Sequence, residues 1–150
     1  QMPVRVQTED FDVGRELAAL RGADRSVGAV AAFVGTVRDV NADASVAAMT
    51  LEHYPGMTEK ALASIVDDAK SRWAIADALV IHRVGALKPA DQIVLVGVTS
   101  AHRGEAFAAC EFLMDYLKTR APFWKKESTP EGERWVDARA SDDAAADRWV

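Results

Sequence analysis

The chain is predicted to adopt an α+β fold, and three observations carry that reading. Stretches with apolar residues at helical spacing are interleaved with short β-branched runs. Their order, β-α-β-β-α-β-β-α-β-β, is a mixed pattern rather than a strict alternation of strand and helix. The chain has 150 residues, 49% of them apolar, which is enough for one core, so residues 1–150 are read as a single domain. Gln1 precedes Met2 and reads as a remnant ahead of a natural start.

Pro3 to Gln7 alternates weakly and reads as a short strand. Asp12 is a helix cap for a segment carrying Val13, Leu17 and Leu20 on one face, with Gly22 just past its end. Val27 to Val37 is small and β-branched and reads as a buried strand. Gly28 and Gly35 within it mark bends or close backbone approaches. Asn41 to Ser45 is a loop or hairpin tip, Val46 to Tyr54 a strand, and Pro55-Gly56 its break. Thr58 is the expected cap of a helix reaching to about Trp73. Its buried face would be Leu62, Ile65, Val66, Ala69 and Trp73, with Asp67, Asp68, Lys70 and Arg72 turned to water. Ala78 to Val84 and Gln92 to Ser100 are β-branched strands. The next helix follows His102-Arg103 and carries Phe107, Cys110, Met114 and Leu117 as an apolar stripe. Pro122 stops it and biases Ala121 towards an extended conformation. Phe123 to Ser128 and Arg134 to Ala138 are strands of a hairpin turning at Pro130-Glu131-Gly132. The tail from Ser141 is polar and docks by the ring of Trp149.

Composition narrows the function. The net charge of −5 argues against a general nucleic-acid binder, but not against a local basic pocket for a small anion. No apolar run approaches the ~20 residues of a membrane span, and no signal-peptide pattern is present. One cysteine excludes an intramolecular disulfide and a Cys-rich zinc site, and fits a cytoplasmic protein. His53, His82 and His102 are scattered, so no metal site is expected, and no phosphate-binding glycine loop occurs.

Against this acidic background, Lys118, Arg120, Lys125 and Lys126 gather at the bend around Pro122, with no carboxylate between them. Arg38 ends a strand, and His102 and Arg103 lie between a strand and a helix. If these junctions meet, they form a pocket for phosphate or carboxylates. A lysine crowded by cations and partly desolvated titrates lower and can act as acid, base or nucleophile. Ordinary roles compete with each of these. The helix dipole alone favours cations at Lys118 and Arg120. Alternation sends Lys125 and Lys126 to opposite faces. Arg38 beside Asp39 makes a plausible surface pair, a lone His is commonly structural, and Phe123, Trp124 and Cys110 suit a core. A phosphate-handling hydrolase and a non-catalytic anion-binding module therefore stand beside a lysine-dependent transferase.

Six segments occur in a fixed order: FVGTVRD at 33–39, LEHYPGM at 51–57, IHRVGALKPAD at 81–91, SAHRGEAFAAC at 100–110, YLKTRAPFWKKE at 116–127 and WVDARASD at 135–142. Together they closely resemble the catalytic, large-subunit family of molybdopterin synthase. The resemblance implies an α/β hammerhead-like fold with an additional β-rich part. It also implies a homodimer that forms the core of a heterotetramer with a small ubiquitin-like sulfur-carrier subunit. That partner ends in Gly-Gly with a C-terminal thiocarboxylate, and two such sulfurs turn cyclic pyranopterin monophosphate into the dithiolene of molybdopterin. The pterin is substrate and product, and no prosthetic group is implied.

Carried onto this chain, the resemblance makes Lys118 the central catalytic lysine and Lys125 the second. Arg38, with the backbone of Thr36 and Val37, would bind substrate. His102 and Arg103 would hold the anionic substrate from the dimer mate, and Lys126 and Glu127 would line the same site. Phe33, Met114 and Arg139 match positions near the family's pocket.

Overall fold

The computed structural model describes residues 3–41, 44–45, 48–136 and 140–150. Strand β1 (Val4–Gln7) leads to helix α1 (Val13–Arg21), strand β2 (Ala29–Thr36), the two-residue strands β3 (Val40–Asn41) and β4 (Ala44–Ser45), and β5 (Ala48–His53). Helix α2 (Met57–Arg72) precedes β6 (Ile75–Arg83), β7 (Gly85–Leu87) and β8 (Gln92–Ser100). Helix α3 (Arg103–Arg120), strands β9 (Phe123–Thr129) and β10 (Gly132–Val136), and helix α4 (Ala140–Asp147) follow. The fold class is α+β.

The first sheet has the order β1-β6-β8-β2, with β1 parallel to β6 and the other pairs antiparallel. Its two central strands are covered on both faces, which is why β6 and β8 read as near-continuous apolar runs. Alternate residues Ala78, Val80, Val94, Val96 and Val98 pack with Leu62, Ile65 and Val66 of α2 and Phe112, Leu113 and Tyr116 of α3. The intervening Leu79, Ile81 and Leu95 meet Phe11 and the α1 residues Val13, Leu17 and Leu20. Gly97 permits this, because a Cβ there would lie 2.9 Å from Leu17 Cδ2. Gly28 makes the close approach its residue type suggests: a Cβ would fall 2.3 Å from the Ala101 carbonyl oxygen.

The second sheet, β10-β9-β5-β7, is wholly antiparallel and is the additional β-rich part. A small cluster of Val37, Met49, Leu51, Val84 and Leu87 lies under it. Val6, Ile93 and Phe123 pack on both this cluster and the main core, so these three side chains join the two sheets.

Several expectations need correction. Strand β2 is not buried. Helix α1 packs over β6 and β8, and β2 is the sheet's edge, so Val30, Phe33 and Val34 remain 39%, 42% and 36% exposed. Phe107 leaves the stripe of Cys110, Met114 and Leu117 and is 65% exposed. Thr58 does not cap α2. Gly56, at φ 86°, takes that position, where Glu59 accepts from its N–H at 3.0 Å, and Thr58 is buried in the first turn. The connection after Gly85 contains β7, stabilised by pairing with β5. Arg72 does not simply face water: it donates to the Trp149 carbonyl and lies 4.7 Å from the Phe112 ring centroid. The tail holds helix α4, but it docks through Trp149 as expected. That indole meets Trp73 and Phe112 edge-on and donates to Asp115 at 2.6 Å. The starting residues of the strand expected from Val46, and the end of the one expected to Ala138, lie outside the described residues.

Candidate active site

Helix α3 ends at a corner fixed by Pro122. Ala121 is already extended, at φ −83° and ψ 135°, as a residue before proline must be. Two contacts hold the corner. The buried Thr58 hydroxyl donates to the Pro122 carbonyl at 3.2 Å and accepts from the Tyr54 N–H at 3.0 Å. One residue on, the Phe123 ring lies on the imidazole of His82, with centroids 3.9 Å apart and planes 18° apart.

Lys118, in the last turn of α3, is exposed, and Lys125, on β9, is half-buried. Both act on the same buried ring. His82 is only 6% exposed, and its pKa is lowered to about 4. Burial is the largest cause, and repulsion from Lys118, Lys125 and His53 adds to it. The bond to the Arg83 carbonyl works the other way and falls short. His82 is therefore neutral at pH 7. Its Nδ1–H donates to that carbonyl at 2.8 Å, since a carbonyl can only accept, and Nε2 keeps the lone pair. His53 reaches the same place from β5, directly opposite Phe123, and Leu51 stands opposite Lys125. Two lysines beside a neutral, desolvated ring can anchor an anion, deliver a proton from the ammonium form, and stabilise developing negative charge.

The other two cations of the bend have separate roles. The Arg120 guanidinium sits 4.0 Å from the Tyr116 ring centroid. Lys126 points to the opposite face of β9 from Lys125 and pairs with Glu133 at 3.3 Å. Glu127 shares the Lys125 face and is 3% exposed.

Arg38 lies in a surface concavity formed with Val37, Asp39, Pro89 and Ala90. Thr36 is exposed at a register shift at the end of β2. The Val37 backbone is engaged within the chain: its N–H donates to the Asp91 carbonyl and its carbonyl accepts from Ala90 N–H, each at 2.9 Å. Its side chain belongs to the cluster on which Phe123 packs, which ties the Arg38 end of β2 to the lysine corner.

His102 and Arg103 do not join this group within one chain. They begin α3, and Lys118 is near its end, roughly 22 Å away at the helical rise of 1.5 Å per residue. Phe33 is exposed on β2, and Met114 is half-buried against the main core. Arg139 lies outside the described residues. Among the described residues no group of three His, Cys, Asp or Glu side chains could hold a metal ion, and no helix is long and apolar enough to cross a membrane. Cys110 is buried, and burial together with Glu111 pushes its thiol up to about 11, so it carries no thiolate near neutral pH.

Sequence reasoning missed His82, His53 and Thr58 as members of the site. A signal was present for His82, because a histidine flanked by Ile81 and followed by further strand residues sits where a buried polar side chain calls for a reason.

Residues 6–120 match the family described as MoaE protein. The molybdopterin synthase catalytic subunit of Ralstonia nicotianae is 67% identical over 97% of this chain and 83% of its own length. The solved structure of a molybdopterin biosynthesis MoaE protein from Burkholderia ambifaria is 61% identical, with a TM-score of 0.85 over 99% of this chain and 98% of that one. Molybdopterin synthase from Staphylococcus aureus is 29% identical, with a TM-score of 0.84 over 91% of this chain and 98% of that one. With a family match over most of its length and near-complete overlap with close relatives, this chain belongs to the MoaE protein family.

Proposed function

We propose that this chain is the catalytic subunit of a molybdopterin synthase, a sulfurtransferase of molybdenum cofactor biosynthesis. It takes one sulfur from the C-terminal thiocarboxylate of each of two small ubiquitin-like partner chains and places both on cyclic pyranopterin monophosphate to make the dithiolene. The observation that carries this reading is the Pro122 corner itself, where Lys118 in the last turn of α3 and Lys125 on β9 flank Phe123, whose ring lies on buried His82. The names of close relatives support it.

The chemistry suits these groups. The substrate is a phosphate ester, and a local cationic site on an acidic protein attracts it. Each sulfur given up by a thiocarboxylate is replaced by oxygen from water, so charge develops on the acyl oxygen and protons must move. Lys118 and Lys125 are placed for that work. Cys110 is buried and protonated, which fits sulfur arriving on a partner. The pterin enters as substrate and leaves as product, with no resident prosthetic group required. A cytoplasmic setting fits the lone reduced cysteine.

The exposed apolar edge strand β2 suits a homodimer, the core of a heterotetramer. If two copies of β2 meet antiparallel across a two-fold axis, the Thr36–Arg38 end of one faces the Ala29 end of the other. Ala29 pairs with Ser100, which leads directly into His102 and Arg103. The mate's His102 and Arg103 then reach the Arg38 end of the site, which their own chain's geometry forbids. Mass spectrometry of the reaction with thiocarboxylated partner and cyclic precursor tests the reading. A product carrying two added sulfurs supports it, and turnover of precursor by the isolated chain without a sulfur donor removes it.

A further inference from the structure

The segment joining the two lysines, residues 119–124, is short, and its course decides where Lys125 lies relative to Lys118. It is gripped at two successive residues from outside the lysine-bearing elements. Thr58 of α2 holds the Pro122 carbonyl at 3.2 Å, and His82 of β6 lies flat under Phe123 at 3.9 Å. The second grip is the more telling. Phe123 packs on both the main core and the cluster under the second sheet, so with Val6 and Ile93 its ring fastens the second sheet to the first. Lys125 follows two residues later on the same face of β9.

An apolar residue would fill the space of His82 at lower cost, since burying a polar ring requires a partner. The imidazole supplies one: its Nδ1–H is bonded to the Arg83 carbonyl of its own strand at 2.8 Å, which fixes the plane of the ring. A ring so fixed presents a flat face of defined orientation to Phe123. The ionisable side chains that act on it are Lys118 from α3, Lys125 from β9 and His53 from β5. A neutral aromatic that tolerates two ammonium neighbours is what such a place needs.

We infer that His82, with Thr58, is a positioning residue that sets Lys118 and Lys125 in register by clamping the Pro122-Phe123 corner. The inference rests on the sulfur-transfer reading for what the lysines do, but not for where they sit.

The test compares His82→Leu, His82→Phe and Thr58→Val in the assembled synthase with thiocarboxylated partner. Misplacing a reacting group by about 1 Å costs up to about a hundredfold. In His82→Leu, kcat is expected to fall about tenfold or more, with KM for the precursor changed less than about twofold. His82→Phe keeps a flat ring against Phe123 and is expected to recover kcat to within about threefold of the natural protein. Thr58→Val, isosteric but unable to hold Pro122, is expected to lower kcat in the same way, and decides the matter if His82→Leu does not fold. Wild-type kcat in a folded His82→Leu, or in Thr58→Val when only that variant folds, overturns the inference. So does a His82→Phe variant as slow as His82→Leu, because the ring would then act chemically.

A second readout separates this inference from the functional reading. A short amine-reactive crosslinker is applied to the synthase, and the Lys118–Lys125 bridge is quantified by peptide mapping. A fall of about threefold or more in the variants supports positioning even if the natural protein makes no dithiolene, and an unchanged yield overturns it even if dithiolene forms.

Discussion

His82 lies face to face with Phe123 while two lysines act on it from different elements. A neutral buried histidine makes stability depend on pH, and the sign follows from the direction of its shift. Its pKa falls from 6.5 to about 4 on folding, so between these values the unfolded chain binds a proton that the folded chain does not. The contribution is fully present above pH 6.5 and is lost as pH falls towards 4. The loss is on the order of 3 kcal/mol at 1.36 kcal/mol per pH unit. Urea unfolding at pH 7 and pH 5 checks this by comparing the natural protein with His82→Phe. The variant's stability is expected to change less over that interval. Equal slopes would show that His82 does not titrate on unfolding.

Lys118→Ala and Lys125→Ala should each lower dithiolene formation by about a hundredfold or more, the scale of losing a positioned acid, base or charge-stabilising group. Lys118 is exposed, so its variant should melt within about 1 °C of the natural protein. Lys125 is half-buried on β9, and some loss of stability accompanies its removal. Product analysis with thiocarboxylated partner, beside thermal melts, separates the two effects. Normal product formation by Lys118→Ala would remove Lys118 from the chemistry.

What the sequence disclosed follows physical range. Helix α1 was legible because its cap Asp12, its stripe and Gly22 are all local, and Asp12 does accept from the Arg15 N–H. Strand β8 runs over the residues expected, because β-branched runs buried on both faces carry a strong signal. The Pro122 bend was legible from one residue's ring. The exposure of β2 was not, since an apolar strand reads the same whether a neighbour covers it or not. Helix α4 was hidden because its stability comes from Trp149, Ala146 and Arg148 docking on α3, not from a stripe of its own. The role of His82 was hidden for a different reason. Its neighbours Phe123, Lys118 and Lys125 lie some forty residues away in sequence, and only the packing of β6 beneath the corner brings them together.

Ala90 offers a further prediction beside Arg38. It holds φ 78°, in the left-handed region where a Cβ costs about 1–2 kcal/mol. The turn imposes this conformation, because Ala90 N–H bonds the Val37 carbonyl while Asp91 takes the Val37 N–H and its carboxylate accepts from the Lys88 N–H. Ala90→Gly relieves the strain but frees the unfolded chain by about 0.4–1 kcal/mol. The first effect is the larger, so a gain of about 0.5–1 kcal/mol in urea unfolding is expected. A loss of stability would mean that the methyl group packs usefully in the concavity.

The anchor of the tail is the last test. Trp149 is half-buried, edge-on to Trp73 and Phe112, and its indole N–H donates to Asp115, which also takes the Arg148 guanidinium at 2.8 Å. Arg72 holds its carbonyl from α2, so one residue ties the tail to two helices. Trp149→Ala removes ring and hydrogen bond together and should cost about 2–3 kcal/mol, below the range for a fully buried tryptophan. Trp149→Phe keeps an aromatic contact and leaves Asp115 with Arg148, so about 1 kcal/mol is expected. Because Trp149 contacts Trp73, Phe112 and Asp115 rather than His82 or Phe123, kcat at 25 °C should stay within about twofold in both variants, while thermal melts fall in the order natural protein, Phe, Ala. A large loss of kcat with an unchanged melt would place the tail in the reaction rather than in the scaffold.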